Sequence, residues 1–357
     1  MKTPTNILAL VEVLKVKEGS DFSCEEEMLA QHLEKEKEPK PALSTSVLGI
    51  LGGALATLAF VGFMIVAGLH HSTAGLIFFG LLGSSGGMAL HYYSKSLSYD
   101  SIAITLYLCG LAMFLAGLYS ADIDENGIAL LMFLVGIISY AITESTLIGF
   151  SSAIISSISV LVLLTQNNKA DMLHFYNLLV VLSFYWVCTN EGFFLSKTFK
   201  TAHKYQALRA ALLLSVITGL APLGENSYGG LTGNYTWFSA IANTALILVC
   251  SHFIMEQLSI QRLLSKIIIY TLSILLLALC AYSPGISGTL LIILLSFKTN
   301  YKWGLAIGIL AFVYFISRFY YDLNLSLLQK SGLLLGSGIV FLALYFLLIK
   351  STTHEQE

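Results

Sequence analysis

Apolar residues dominate the chain from about residue 44 onward, in runs separated by short polar turns. A helix needs about 20 apolar residues to cross the roughly 30 Å hydrocarbon core of a bilayer. The pattern therefore predicts an all-α fold, a polytopic transmembrane helical bundle of about twelve spans. The predicted spans are residues 46–69, 72–91, 101–120, 127–143, 146–165, 172–189, 206–224, 237–255, 265–282, 285–298, 303–318 and 327–349.

The tenth run, 285–298, is the shortest of the twelve. It follows a turn at Ser283 and Pro284, so it is either a full crossing or a re-entrant segment buried in protein. Counting it as a crossing keeps Lys298 and Lys302 on the same side as most other cations. Twelve spans is therefore the preferred number.

A polar segment, residues 1–43, precedes the apolar runs. The apolar residues near its start recur with helical spacing, and Ser23 followed by Glu26 resembles a capping box at the start of a second helix. These signals predict a cytosolic N-terminal helical hairpin and linker over this segment, and a partly disordered acidic tail is the alternative. The transmembrane domain then covers 44–350, and 351–357 form a cytosolic tail.

Lysine and arginine residues set the predicted orientation, because they concentrate in short cytoplasmic loops. With both termini in the cytoplasm, all but three of the 19 Lys and Arg residues lie on the cytoplasmic side. The exceptions are Lys169, Arg318 and Lys330. The sequence therefore predicts an N-in, C-in topology.

Composition supports a membrane protein and excludes other classes. Hydrophobic residues make up 56% of the chain and charged residues 11%, whereas a soluble domain has about 25% charged residues. A formal net charge of -2 gives no reason to expect nucleic acid as a partner. The five cysteines form no CxxC motif, and no nucleotide-binding, hydrolase or zinc motif is present. We therefore assign no catalytic, cofactor-binding or metal-binding residue, and the sequence favours a protein that is not an enzyme.

Glycine pairs at GxxxG spacing indicate closely packed helices, because two backbones can approach where side chains are absent. Two such pairs are Gly83 with Gly87 and Gly304 with Gly308. Their spacing predicts helix packing rather than activity.

Neutral polar residues remain inside the predicted spans, where charged residues are scarce. The candidates for a polar path are Ser152, Ser156, Asn177, Asn243 and Thr244. Such side chains either hydrogen-bond between helices or line a route for a polar solute. Hydrogen bonding between helices is the preferred interpretation, and the lack of charge at depth disfavours an ion-coupled pump.

The predicted outer face carries two further candidate groups. Asp322 and Lys330 are predicted to form an ion pair beside the last span. His70, Asp122 and His174 would be the centre of any outer-face enzyme.

The C-terminal part of the chain carries a recognisable pattern. It consists of a Pro-Gly turn, a Tyr pair and a Leu-Leu-x-Lys-Ser helix start, at Pro284, Gly285, Tyr320, Tyr321, Leu327, Leu328, Lys330 and Ser331. The pattern resembles a family of bacterial polytopic membrane proteins classified as a domain of unknown function, number 4401, best over residues 280–349. The resemblance implies the bacterial cytoplasmic (inner) membrane, and a second membrane protein as partner, of the kind named for a GDYXXLXY motif. It implies no activity.

The leading functional hypothesis is a non-enzymatic subunit or scaffold of a membrane complex, with membrane lipids and a second membrane protein as partners. One alternative is a permease or channel for a small neutral or amphipathic solute. Another is an enzyme that acts on a lipid-linked substrate at the outer face.

Overall fold

The structure is a computed structural model, and its described residues lie in helices and in the short connections between them. They are residues 43–66, 68, 72–93, 97–166, 170–197, 199–223, 236–257 and 283–322, with isolated positions between 266 and 273 and between 328 and 342. The predicted N-terminal hairpin and C-terminal tail lie outside the described residues. The same holds for most of the spans predicted over 265–282 and 327–349.

Eleven helices can be given bounds among the described residues. They are α1 (Leu43–Val66), α2 (Thr73–Tyr93), α3 (Leu97–Ser120), α4 (Glu125–Ile142), α5 (Thr146–Gln166), α6 (Ala170–Thr189), α7 (Glu191–Lys197), α8 (Phe199–Leu220), α9 (Thr236–Gln257), α10 (Pro284–Lys298) and α11 (Lys302–Asp322).

Ten of the twelve predicted spans coincide with one of these helices. Within the described residues, α2, α3, α4, α5, α6 and α11 contain segments long and apolar enough to cross a membrane, and α1, α9 and α10 contain shorter apolar segments. The short helix α7 was not predicted. The all-helical class is confirmed, and the number of twelve spans stays a prediction.

Glycine allows α2 and α3 to pack with their backbones in contact. A Cβ added to Gly110 of α3 would lie 2.7 Å from the carbonyl carbon of Gly83, and one added to Gly87 of α2 would lie 2.6 Å from the carbonyl oxygen of Ala103. Any side chain at these positions would separate the helices. The predicted Gly83 and Gly87 pair therefore lies in a helix interface.

The later helices pack around α10. Residues 284–289 are all buried, and Leu291, Ile292 and Leu295 are fully buried. Helices α8, α9 and α11 contact α10, and α5 packs against α8 to join the earlier helices to this group. The short helix α10 is thus the centre of the second half of the molecule.

Alanine at Gly110 is expected to destabilise the protein, because its Cβ would force α2 and α3 apart. Overpacking of this kind costs about 1–3 kcal/mol of unfolding free energy. The matched control is Gly62→Ala in α1, where nothing lies within 4 Å of an added Cβ. The control should be neutral or stabilised by up to about 1 kcal/mol. Thermal unfolding of the purified protein in detergent measures both, and equal melting temperatures for the two variants would contradict the described packing.

Candidate functional site

Two of the predicted polar-path residues, Ser152 and Ser156, lie where α4 and α5 meet. The Ser152 hydroxyl donates to the carbonyl oxygen of Ile148 at 2.8 Å, and the Ser156 hydroxyl donates to that of Ser152 at 3.0 Å. Gly136 of α4 packs directly against this serine pair. Both hydroxyls therefore donate within α5, and the absence of a side chain at Gly136 allows α4 to approach them closely.

Asn243 connects α9 to the start of α10. Its side-chain nitrogen donates to the Ser287 hydroxyl oxygen at 3.1 Å, and the Ser287 hydroxyl donates to the carbonyl oxygen of Pro284 at 3.2 Å. Asn243 and Ser287 are both almost fully buried, and the neighbouring Thr244 is partly buried. This hydrogen-bonded pair fixes α9 against the first turn of α10.

Asn177 and His174 lie on α6, at its interfaces with α8 and α9. A Cβ added to Gly219 of α8 would lie 3.6 Å from the Asn177 Oδ1, and this oxygen has no hydrogen-bond partner among the described residues. His174 Nδ1 lies 2.6 Å from the Ser239 hydroxyl oxygen of α9. Asn177 and His174 are each only 1% exposed.

The polar-path candidates therefore divide among several helix interfaces. Two cavities lined by described residues lie elsewhere: an apolar one of about 440 Å³ between α1, α2 and α3 beside Cys109, and one of about 330 Å³ beside His91, Thr143 and Glu144. Neither includes a polar-path candidate. A continuous path stays a prediction.

The predicted outer-face groups are only partly described. Lys330 and His70 lie outside the described residues, and of Asp322 only the backbone, at the end of α11, is described. Asp122 is exposed in the turn after α3, with φ at +51°, whereas His174 is buried in the bundle. The Asp322–Lys330 pair stays a prediction, and His174 is not a surface residue.

A buried arginine, Arg209, forms a polar centre that the sequence did not single out. Its Nη1 donates to the Tyr205 hydroxyl oxygen at 3.1 Å, and its Nη2 donates to Thr299 Oγ1 at 3.1 Å. Its guanidinium carbon lies 3.9 Å from the centre of the Tyr301 ring, in cation–π contact. Among the described residues, the nearest acidic atom is Glu191 Oε2, 3.8 Å from Nη1. We call these five residues the Arg209 centre.

The Arg209 centre lies where several helices end. Thr299 follows the last residue of α10, and Cys188, which is buried beside the guanidinium, lies one residue before the end of α6. Helix C-termini carry partial negative charge, so a cation placed there is stabilised. Arg209 therefore holds the ends of α6 and α10 to the first half of α8.

A second cation, Lys298, lies at the same end of the bundle. Its Nζ is 4.0 Å from the centre of the Phe253 ring of α9 and 5.6 Å from that of Tyr185 of α6. Aromatic faces attract cations when water is excluded. Among the described residues, the two cations thus contact rings and hydroxyls, and the one carboxylate within 4 Å of either is that of Glu191, 3.8 Å from Arg209.

Tyr301, in the turn between α10 and α11, reports on the environment of this centre. Burial raises the pKa of its hydroxyl above the ordinary value of 10, and the nearby Arg209 guanidinium lowers it only in part. The tyrosine is therefore neutral at physiological pH, and its ring is an uncharged face for the guanidinium.

From the sequence, Arg209 was counted only among the cations of the predicted cytoplasmic side. The structure instead buries it, with 8% of its surface exposed. The sequence did contain a signal for this burial. Arg209 lies inside the predicted span 206–224, among small residues such as Ala207 and Ala211 that are themselves buried. A lone cation within an apolar run requires partners inside the protein.

Removal of the Ser287 hydroxyl is expected to destabilise the protein, because the buried Asn243 amide would lose its acceptor. Interhelical hydrogen bonds in membrane proteins contribute about 0.5–2 kcal/mol. The unfolding free energy of the Ser287→Ala variant should be lower by this amount, as measured in a detergent unfolding titration. The matched control is Ser151→Ala, whose hydroxyl donates only to Leu147 of its own helix, and a loss as large in the control would refute the interpretation.

Comparison with known proteins gives one family. A search of curated proteins found no significant match. A search of solved structures found none either. The model of the family described as "Domain of unknown function (DUF4401)" matches residues 42–351, which is most of the chain and every helix described above. The chain therefore belongs to this family of unknown function.

Proposed function

We propose that the protein is a non-enzymatic subunit or scaffold of a membrane complex. The observation that carries this proposal is the use of buried polar groups for helix contacts. Asn243 binds Ser287 across α9 and α10, and the Ser157 hydroxyl lies 2.5 Å from the Tyr176 hydroxyl across α5 and α6. Groups committed to each other stabilise a fixed arrangement of helices, as a scaffold requires.

The exposed surface is compatible with contacts inside a membrane. On α11, Trp303, Leu310 and Val313 are each more than half exposed. In a bilayer such a face contacts acyl chains or the span of another protein equally well, since lipid tails are as apolar as leucine. The partner we propose is a second membrane protein.

We also propose twelve spans in the bacterial cytoplasmic membrane, with both termini in the cytoplasm. Contacts among the cation-bearing ends support this arrangement. Lys204 Nζ donates to the carbonyl oxygen of Ala141 at 2.8 Å, which joins the start of α8 to the end of α4, and Arg209 joins α8 to the α10–α11 turn. The cations in the first half of α8 therefore contact the ends of α4 and α10, as a shared cytoplasmic side for these helix ends requires.

Fusions at the two ends test the topology. A fluorescent protein that matures only in the cytoplasm should fluoresce at both the N-terminus and the C-terminus, and a periplasm-dependent phosphatase should be inactive at both. Opposite reports from the two ends would require an odd number of spans and would contradict the proposal.

Purification from native membranes in a mild detergent tests the scaffold. We expect the tagged chain to co-purify with a second membrane protein in fixed stoichiometry, and the complex to dissociate in a harsher detergent. An unrelated polytopic protein with the same tag is the control. A monomer that recovers no partner would contradict the scaffold proposal.

A permease is the second candidate, and one observation favours it. Asn177 Oδ1 is buried without a hydrogen-bond partner among the described residues. An unpaired amide oxygen at depth is costly unless water or a solute donates to it. A partnerless monomer that passes a small neutral solute across liposomes, and loses this flux on Asn177→Leu, would favour the permease over the scaffold.

A further inference from the structure

The Arg209 guanidinium uses few of its hydrogen-bond donors. A guanidinium has five N–H groups in a planar fork. Two of them bind neutral hydroxyls, on Tyr205 and Thr299, and the Nε–H has no acceptor among the described residues. The Cys188 thiol beside it is a weak acceptor only. The remaining N–H donors of the guanidinium are therefore left for a stronger acceptor.

Among the described residues, Arg209 has one ion pair, and it is a long one. Glu191 Oε2, at 3.8 Å from Arg209 Nη1, is beyond hydrogen-bond distance, and 43% of the Glu191 side chain is exposed. Lys298 adds a second positive charge at the same end of the bundle, with aromatic rings as its contacts. The ends of α6 and α10 offset part of this charge. With Glu191 turned away, the Arg209 guanidinium would have no carboxylate within ion-pair distance among the described residues.

Glu191 also marks the route by which an anion would reach the guanidinium. It is the first residue of α7, immediately after the turn that ends α6, and 43% of its side chain is exposed against 10% of the Arg209 side chain. Rotation of this side chain away from Arg209 would open the guanidinium to the solvent side. No covalent change and no movement of a long helix is needed.

We propose that Arg209 binds a phosphate-type oxyanion that takes the place of the Glu191 carboxylate, with Lys298 strengthening the attraction from a distance. Two parallel N–H donors on a guanidinium match two oxygens of a phosphate group. The planar stack on Tyr301 fixes the direction of the fork, so less entropy is lost on binding. The phosphate belongs either to an anionic lipid headgroup or to a free ion in the cytoplasm.

The test uses the full chain in non-ionic detergent, with inorganic phosphate titrated calorimetrically at constant ionic strength. We expect saturable binding that Glu191→Gln tightens about two- to fivefold, because the competing carboxylate is removed. Arg209→Lys should weaken binding at least about tenfold, since a lysine lacks the fork. A second arm measures retention of phosphatidylglycerol against phosphatidylcholine from mixed nanodiscs by native mass spectrometry.

The control for a general loss of positive charge is Lys302→Gln, at an exposed lysine at the start of α11. It should change the phosphate affinity and the phosphatidylglycerol retention by less than about twofold. Binding of inorganic phosphate with the stated variant order supports a free anion, and selective phosphatidylglycerol retention with that order supports a headgroup. The proposal is overturned if neither probe binds, if Glu191→Gln binds no better than the unsubstituted chain, or if Lys302→Gln weakens binding as much as Arg209→Lys. Because Glu191→Gln leaves the guanidinium in place, the test stands even if Arg209→Lys does not fold.

Discussion

The enclosure of α10 by its neighbours is the constraint on which the second half of the molecule depends. A helix of 15 residues is about 22 Å long, which is less than the roughly 30 Å of a hydrocarbon core. The ends of such a helix would present unpaired backbone groups to lipid, so protein must surround them. Its first turn meets this need locally: the Ser283 carbonyl accepts from the amides of Ile286 and Ser287. Asn243 of α9 then holds this turn in place.

The other end of α10 is held by charge. Thr299, just after the helix, binds the Arg209 side chain, so α8 is tied to α10 where the partial negative charge of the helix accumulates. The two ends thus use different chemistry, an amide and a hydroxyl at one and a guanidinium at the other. Apolar contacts fill the space between, as where Leu220 of α8 packs over Gly288. This combination allows a short helix to occupy the centre of an apolar bundle.

The sequence predicted most of the helices because each apolar run and its polar boundaries extend over many residues. No single residue therefore decides where a helix lies. It also predicted that Gly83 and Gly87 face a neighbour. It did not predict α7, whose seven residues are too short for a periodic signal, or the burial of Arg209. The pairing of Asn243 with Ser287 depends on which helices are neighbours across 44 residues, and periodicity within one helix carries no such information.

The glycine-lined contact of α2 and α3 has a consequence for how the protein is made. These helices are adjacent in the chain, and His91 near the end of α2 pairs with Asp100 near the start of α3, so the contact needs no segment synthesised later. The hairpin is therefore able to close while the ribosome is still translating α6 and beyond. The bundle around α10, by contrast, joins α6 to α11 and must wait for nearly the whole chain. The hairpin of α2 and α3 would then be an already folded surface against which the later helices pack as they insert.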